Sequence, residues 1–310
     1  MREFEFINWI RSVTKLDPVS VPVGPGDDCA VLMCGNERLL VTVDQVLDGV
    51  HFKLAEHGPA AAGRKAMARN LSDVAAMAAL PLGAVVSVAM PKGFAREDAE
   101  KLYMGVRDLG DAYHCPIVGG DVSTWDHPLA MSVTVLARPA GIRPVRRSGA
   151  KPGDALCVTG ALGGSWRTRR HLEFLPRINE ARILASRHEL HAMIDLSDGL
   201  ASDVHHLCEA AGVGAEIFAA DIPIHESVKG GLKISIPPAA DPLQAALCDG
   251  EDYELLFALP EAHAKQLLKD QPLPVPVSRV GIVTAEKTVT LIMPNGTKKI
   301  LKAEGWEHKT

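Results

Sequence analysis

Two apolar runs, Leu39 to Val43 and Ala84 to Ala89, flank a long alanine-rich segment, Ala60 to Leu80. Short apolar runs fit buried strands, and a long stretch of small residues between them fits a helix packed on those strands. That arrangement commits the first half of the chain to mixed α/β structure. Helical spacing from Glu97 to Tyr113, a short strand at Cys115 to Val118 ending at Gly119-Gly120, and a strand at Met131 to Ala137 continue it.

The texture changes at Gly141 to Asp154, which holds two prolines, three glycines and Arg143, Arg146 and Arg147, the make-up of a linker or exposed loop. A domain boundary is expected near residue 140, giving an N-terminal α/β domain over 1–140 and a C-terminal α+β domain over 141–310. The second half opens with a strand at Ala155 to Thr159 and a turn rich in glycine at Gly160, Gly163 and Gly164. Then follow a helix over Arg177 to Arg187, a strand over Ala192 to Leu196, and a helix that begins at Asp198, is capped by Ser197 and runs toward Gly212. An apolar strand at Leu255 to Leu259, a helix at Glu261 to Leu268 and strands near Val280 and Val289 complete the pattern.

Composition removes several function classes. With 310 residues, 47% of them hydrophobic, the chain can bury a large core without disulfides. Apolar stretches such as Val85 to Met90 fall far short of the roughly 20 residues a membrane-spanning helix needs. The start, Met1-Arg2-Glu3-Phe4-Glu5-Phe6, lacks the features of a secretory signal, so a cytoplasmic protein is expected. Six cysteines include no C-x-x-C pair, which suggests reduced core thiols, and a net charge of −5 offers nucleic acid no footprint.

The aspartates carry the chemistry. Asp27-Asp28, Asp44, Asp121 and Asp195 stand at the ends of apolar runs or beside glycines, where strand ends and tight turns gather binding groups. Strand periodicity puts the Thr42 and Asp44 side chains on one face, so a hydroxyl and a carboxylate reach the same ion. Asp73 sits amid small residues of the alanine-rich helix, and Asp195-Leu196-Ser197-Asp198-Gly199 ends a strand and starts a helix whose N–H groups suit phosphate. Taken singly, each aspartate equally fits a cap or a turn. Magnesium takes one or two carboxylates plus substrate phosphates, so several converging aspartates imply several ions and a phosphoryl-transfer chemistry that needs no nucleophilic residue. The P-loop signature and the kinase glycine loop are both absent, so a nucleotide must be held by other means.

In their order along the chain, the motifs resemble thiamine-monophosphate kinase, within the aminoimidazole ribonucleotide synthetase superfamily. They are Gly24-Pro25-Gly26-Asp27-Asp28, Thr42-Val43-Asp44 with Gly49-Val50-His51-Phe52, Asn70-Leu71-Ser72-Asp73-Val74-Ala75-Ala76-Met77, and Gly119-Gly120-Asp121. Arg147-Ser148-Gly149-Ala150-Lys151-Pro152-Gly153-Asp154, Asp195-Leu196-Ser197-Asp198-Gly199-Leu200 and Gly250-Glu251-Asp252-Tyr253-Glu254-Leu255 extend the match over nearly the whole chain. The resemblance implies transfer of a phosphoryl group from ATP to thiamine monophosphate with bound Mg2+. It implies Asp28, Thr42, the main chain of Val43, Asp44, Asp73, Asp121, Asp195 and Asp198 as magnesium ligands. Tyr103, Gly120, Asp121, Arg147 and Ser197 are implied at the nucleotide, and His51, Glu251 and Trp306 at the thiamine side, where a carboxylate and an aromatic ring suit a cationic heterocycle. The implied fold is a homodimer whose N-terminal domains join strands into a shared β-barrel, each with an α+β C-terminal domain.

Two departures stand out. Val43 and Gln45 occupy positions where the family usually has threonine, and Gly163-Gly164-Ser165 is followed almost at once by His171-Leu172 and Pro176-Arg177, where the family interposes a further helix and loop. Other readings are a sister ATP-dependent enzyme or a nucleotide-binding protein without turnover. A selenophosphate synthetase is disfavoured by the lack of an N-terminal Cys-Gly-Cys segment, and the hydrogenase-maturation dehydratase by the ending Trp306-Glu307-His308-Lys309-Thr310.

Overall fold

A computed structural model describes residues 3–230 and 239–305 of the protein. The first part runs through α1 (Glu3–Val13), β1 (Ala30–Cys34), β2 (Glu37–Leu47), α2 (Leu54–His57), α3 (Pro59–Ala76), β3 (Leu80–Pro91), α4 (Arg96–Ala112), β4 (Ile117–Trp125) and β5 (Ala130–Arg138). The second runs through β6 (Ala155–Thr159), α5 (Arg170–Glu173), α6 (Ile178–Arg187), β7 (Ala192–Asp195), α7 (Leu200–Ala211) and β8 (Gly214–Phe218). It ends with α8 (Glu226–Lys229), α9 (Pro242–Cys248), β9 (Leu255–Leu259), α10 (Glu261–Asp270), β10 (Val277–Thr284), β11 (Val289–Ile292) and β12 (Lys298–Ile300).

The strands form two sheets, one of order β1-β2-β5-β3-β4 and one of order β12-β11-β8-β10-β6-β9-β7. The first sheet is antiparallel except where β3 and β4, joined by α4, run parallel. No closed barrel is found among the described residues: β1 and β4 are edge strands. No helix among them is long and apolar enough to cross a membrane.

Helix α3 lies between the sheets. It touches β2 and β5 of the first and β7 of the second, and is buried on most of its surface. Alanine and glycine allow this, because a helix enclosed on several sides must let neighbours approach its backbone. A Cβ on Gly63 would stand 2.1 Å from the Leu102 carbonyl oxygen of α4. Pro59 opens the helix at a position that needs no N–H donor.

Alternation along the central strands divides the core. Cys157, Met193, Leu255 and Phe257 join the cluster around α3. Leu156, Val158, Ile194 and Leu256 point the other way, onto Leu200, Val204 and Leu207 of α7. Burial on both faces explains why β6 and β9 read as unbroken apolar runs.

Three local expectations are corrected. The alanine-rich helix ends at Ala76 instead of reaching Leu80, because Ala78 turns the backbone to φ +52° and Leu80 starts β3. Strand β4 runs through Gly119-Gly120 to Trp125, so Asp121 lies within a strand, paired with Ser87, and not after its end. A Cβ on Gly120 would meet the Val86 carbonyl oxygen at 2.0 Å, so this glycine keeps the two strands together. Helix α7 begins at Leu200, not Asp198, and Ser197 is not its cap. The Asp203 carboxylate performs that task from the helix's own first turn, accepting from the backbone N–H groups of Asp198 at 3.2 Å and Gly199 at 3.1 Å.

Candidate functional site

Asp28, Asp73 and Asp195 come from three distant parts of the chain, yet an oxygen of each lies within 4.8 Å of the others. Asp73 is carried by α3, Asp195 ends β7, and Asp28 sits in the turn before β1. Burial, then repulsion from Asp44, Asp195 and Asp28, pushes the Asp73 carboxyl well above the ordinary range, and a hydrogen bond donated by the Thr42 hydroxyl only partly opposes this. Asp195 is pushed up to about 7 by burial and by Asp28, although Ser72 Oγ donates to it at 2.6 Å. Buried carboxylates raised in this way lack positive charge, and a magnesium ion with its oxygen preference fits the donor set. One cation is already present: Arg147 meets Asp28, with Nη2–Oδ1 at 2.5 Å.

Strand β2 behaves as its alternation predicts. Thr42 faces Asp73, Val43 is 61% exposed on the opposite face, and the Asp44 carboxylate meets Arg69 of α3 at 3.3 Å. The Asp44 N–H donates to Asn70 at 3.1 Å. Asp198 belongs to a second trio, with Asp203 and His206, whose ligand atoms also fall within 4.8 Å. Ser197 is half-buried in the turn before α7, where its carbonyl accepts from the Glu251 N–H at 2.7 Å.

The expected nucleotide residues divide into two places. Arg147 stands at the acidic trio. Tyr103, Gly120 and Asp121 line a cavity of about 350 Å³ between α4 and the first sheet. Register gives the spacing: Asp44 pairs with Val133, Val133 with Val86, and Val86 with Gly120. Three strand intervals thus separate Asp44 from Gly120 by roughly 14 Å within one chain.

The expected acceptor residues meet at a lysine. Lys65 of α3, with no solvent exposure, donates to the His51 carbonyl at 2.5 Å and to Glu251 Oε2 at 2.7 Å. His171 Nδ1 lies 2.8 Å from the same nitrogen and 3.2 Å from Glu251 Oε2. Burial brings the Lys65 ammonium down to about 8, against the pull of Glu251. Glu251 stays below its usual value because His171 and Lys65 outweigh the effect of burial. Trp306 lies outside the described residues.

The short segment after Ser165 is tied to the Glu251–Glu254 motif at three points. His171 meets Glu251, Arg170 meets Asp252 at 2.5 Å, and Arg177 grips Glu254 at 2.6 and 2.8 Å. Glu251 and Tyr253 hold φ of +53° and +50°. Side chains disfavour that region by about 1–3 kcal/mol each, so these clamps keep a strained turn in place.

Lys65, Arg69, Asn70, Ser72, Asp203 and His171 join these clusters without having been singled out by sequence reasoning. The signal for Lys65, Arg69 and Ser72 is a polar stripe at helical spacing, 65-69-72-73, which they share with Asp73 in an alanine-rich helix.

Comparison with known proteins places the chain among relatives. Residues 26–138 match the model of AIR synthase related protein, N-terminal domain, and residues 151–294 that of AIR synthase related protein, C-terminal domain. The thiamine-monophosphate kinase of Rhodopirellula baltica is 39% identical over 289 residues, covering 91% of this chain and 89% of the relative. That of Bacillus subtilis is 31% identical over 334 residues, covering 99% of each. The solved structure of AaThiL complexed with AMPPCP and TMP superposes with a TM-score of 0.84 at 29% identity, covering 99% of this chain and 97% of that one. With its two-domain AIR synthase-like fold and these relatives, the chain belongs to the thiamine-monophosphate kinase family.

Proposed function

We propose that this protein transfers the γ-phosphoryl group of ATP to thiamine monophosphate by direct in-line displacement, giving thiamine diphosphate and ADP in the cytoplasm. The observation that carries the reading is the convergence of Asp28 and Asp195 on Asp73, which α3 carries along with Lys65 of the Lys65–Glu251 pair. Lys65 and Asp73 stand eight residues apart on α3, about 12 Å along its axis, a separation suited to an acceptor whose heterocycle lies at one end and whose phosphate lies at the other. The AMPPCP and TMP bound by AaThiL support the two substrates.

Asp28, Asp73 and Asp195, with Thr42 and Asp44 beside them, would hold Mg2+, and Asp198 a further ion. Bound magnesium supplies charge neutralisation for the transferring phosphoryl group. The chain's own part is placement. Arg147 and Ser197 orient the nucleotide, while His51 and Glu251 hold the acceptor so that its phosphate oxygen attacks the γ-phosphorus and ADP departs.

The homodimer belongs to the same proposal. Strand β4 is an edge with eight consecutive exposed residues, and pairing two such sheets into a shared barrel would bury them. The division of Asp121, Gly120 and Tyr103 from Arg147 within one chain supports a site completed by a second copy. We propose the domain boundary near residue 140, between an N-terminal α/β domain over 1–140 and a C-terminal α+β domain over 141–310. An ADP-release assay tests the activity: release should require thiamine monophosphate, and equal release with unphosphorylated thiamine would overturn the assignment. Nucleotide binding without ADP release would mark a catalytically silent relative instead.

A further inference from the structure

Lys65 is among the largest fully buried side chains of the protein and carries a cation where an apolar residue would pack as well. Its ammonium joins four pieces of chain. These are the His51 carbonyl in the turn after β2, the Glu251 carboxylate in the turn before β9, His171 of α5, and the Trp166 ring, whose centroid is 4.9 Å away. Trp166 also stacks on His171 at 4.1 Å, so the segment from Ser165 to His171 covers the lysine from one side.

We propose that Lys65 is a positioning residue for the acceptor, setting the Glu251 carboxylate and the His51 turn in one arrangement; this rests on the thiamine monophosphate kinase reading above. Three features carry it. Glu251 has its Oε2 committed to Lys65 and His171, so the direction of its other oxygen follows from the lysine. Its backbone sits at φ +53°, held at its N–H by the Ser197 carbonyl at 2.7 Å and at its carbonyl by the Ser165 hydroxyl at 2.7 Å, so the side chain leaves a fixed point and Lys65 sets where it goes. The His51 ring is anchored separately, by the Leu47 N–H to Nδ1 at 3.0 Å, so Lys65 fixes the main chain of that turn and leaves the ring to its own contact. The lysine thus acts through two other residues and does not touch the reacting atoms.

The test is acceptor and ATP kinetics on wild type, Lys65→Met, Glu251→Gln and the double variant, with thiamine monophosphate as the acceptor. Lys65→Met should raise the acceptor KM by about tenfold or more, leaving the ATP KM within about twofold. Because part of the lysine's effect passes through Glu251 and part through the His51 turn, the double variant should exceed Glu251→Gln in acceptor KM by clearly less than the roughly tenfold expected in the wild-type background. The double variant also removes the unpaired buried carboxylate, so it answers the question even if Lys65→Met fails to fold. An unchanged acceptor KM in Lys65→Met, a parallel rise for both substrates, or a double variant about tenfold or more above Glu251→Gln overturns the proposal. Wild-type protein without acceptor-dependent ADP release overturns the kinase reading and this inference with it, whereas an active wild type with an unshifted variant overturns the inference alone.

Discussion

Arg147 grips Asp28 at two points, Nη2–Oδ1 at 2.5 Å and Nε–Oδ2 at 3.3 Å, while its backbone N–H donates to Asp27 at 3.2 Å. The guanidinium therefore neutralises a carboxylate that the proposed reaction assigns to a metal ion, and the same arginine is assigned to the nucleotide. Cation and nucleotide binding would release it from one task to the other.

Arg147→Met should accordingly destabilise the metal-free protein by about 3 kcal/mol, the lower end of the cost of breaking a buried pair, because the arginine is partly exposed. Magnesium should narrow that gap, since the ion replaces the lost charge at Asp28. Thermal unfolding of wild type and variant, with EDTA and with excess Mg2+, measures this; an equal gap in both conditions would count against the exchange. The ATP KM should rise in the same variant.

Asp73→Asn keeps the side-chain volume and removes one charge from the trio. Turnover should fall by roughly 10²–10³, as for other electrostatic groups at a reacting centre. Metal-free stability should hold or rise, because burial and the neighbouring Asp44, Asp195 and Asp28 already disfavour the charged form. A variant that unfolds, with the folded remainder turning over normally, would make Asp73 a structural partner of Thr42 and nothing more.

Much of this site is legible along the chain because its acids stand at landmarks: Asp195 ends an apolar strand and Asp28 follows a glycine-rich turn. Lys65 has no such mark. A lysine in an alanine-rich helix reads as a solvated residue, and its burial depends on Glu251, 186 positions later. Gly119-Gly120 reads as a strand end because glycine weakens strands, yet here β4 needs Gly120 to approach β3. Ser197 before Asp198 reads as a cap, but the positive φ of Gly199 delays the helix and hands capping to Asp203. Lys65 and Gly119-Gly120 are misread because a tertiary neighbour decides the local structure, and Ser197 because a nearby glycine and carboxylate do.

The pH dependence of metal-free stability should include a contribution from Asp195, beside those of the buried carboxyls of Asp73, Asp203 and Asp252, which burial also pushes up. The Asp195 carboxyl titrates near 3.8 when unfolded and about 7 when folded. Below the lower value both states hold the proton; between the two values the folded state keeps a proton that the unfolded state has lost. Stability from this group is therefore full in acid and is lost as pH rises toward 7. Asp195→Asn should flatten that fall, and Mg2+ affinity of the wild type should increase over the same window, because the ion needs the ionised carboxylate. Unfolding temperatures in EDTA across the window decide the matter: parallel slopes in wild type and variant would remove Asp195 from the account.

The assembly prediction concerns β4. Val118 and Val122 are 64% and 68% exposed, on a strand that pairs with β3 on one side and with nothing else among the described residues. A bare edge with exposed valines invites another strand, and a second copy is the partner that closes the proposed barrel. Val122→Lys places a charge where that edge would be covered, without touching the core of a single chain. The variant should keep the secondary structure of the wild type and show monomer mass by light scattering at concentrations where the wild type is dimeric. Because Asp121 adjoins Val122 on β4, three strand intervals from Asp44 of β2 in its own chain, the monomer should also lose ADP release. A wild type of monomer mass, or a monomeric variant with full turnover, would show that one chain completes the site alone and would return Asp121 to a structural role in β4.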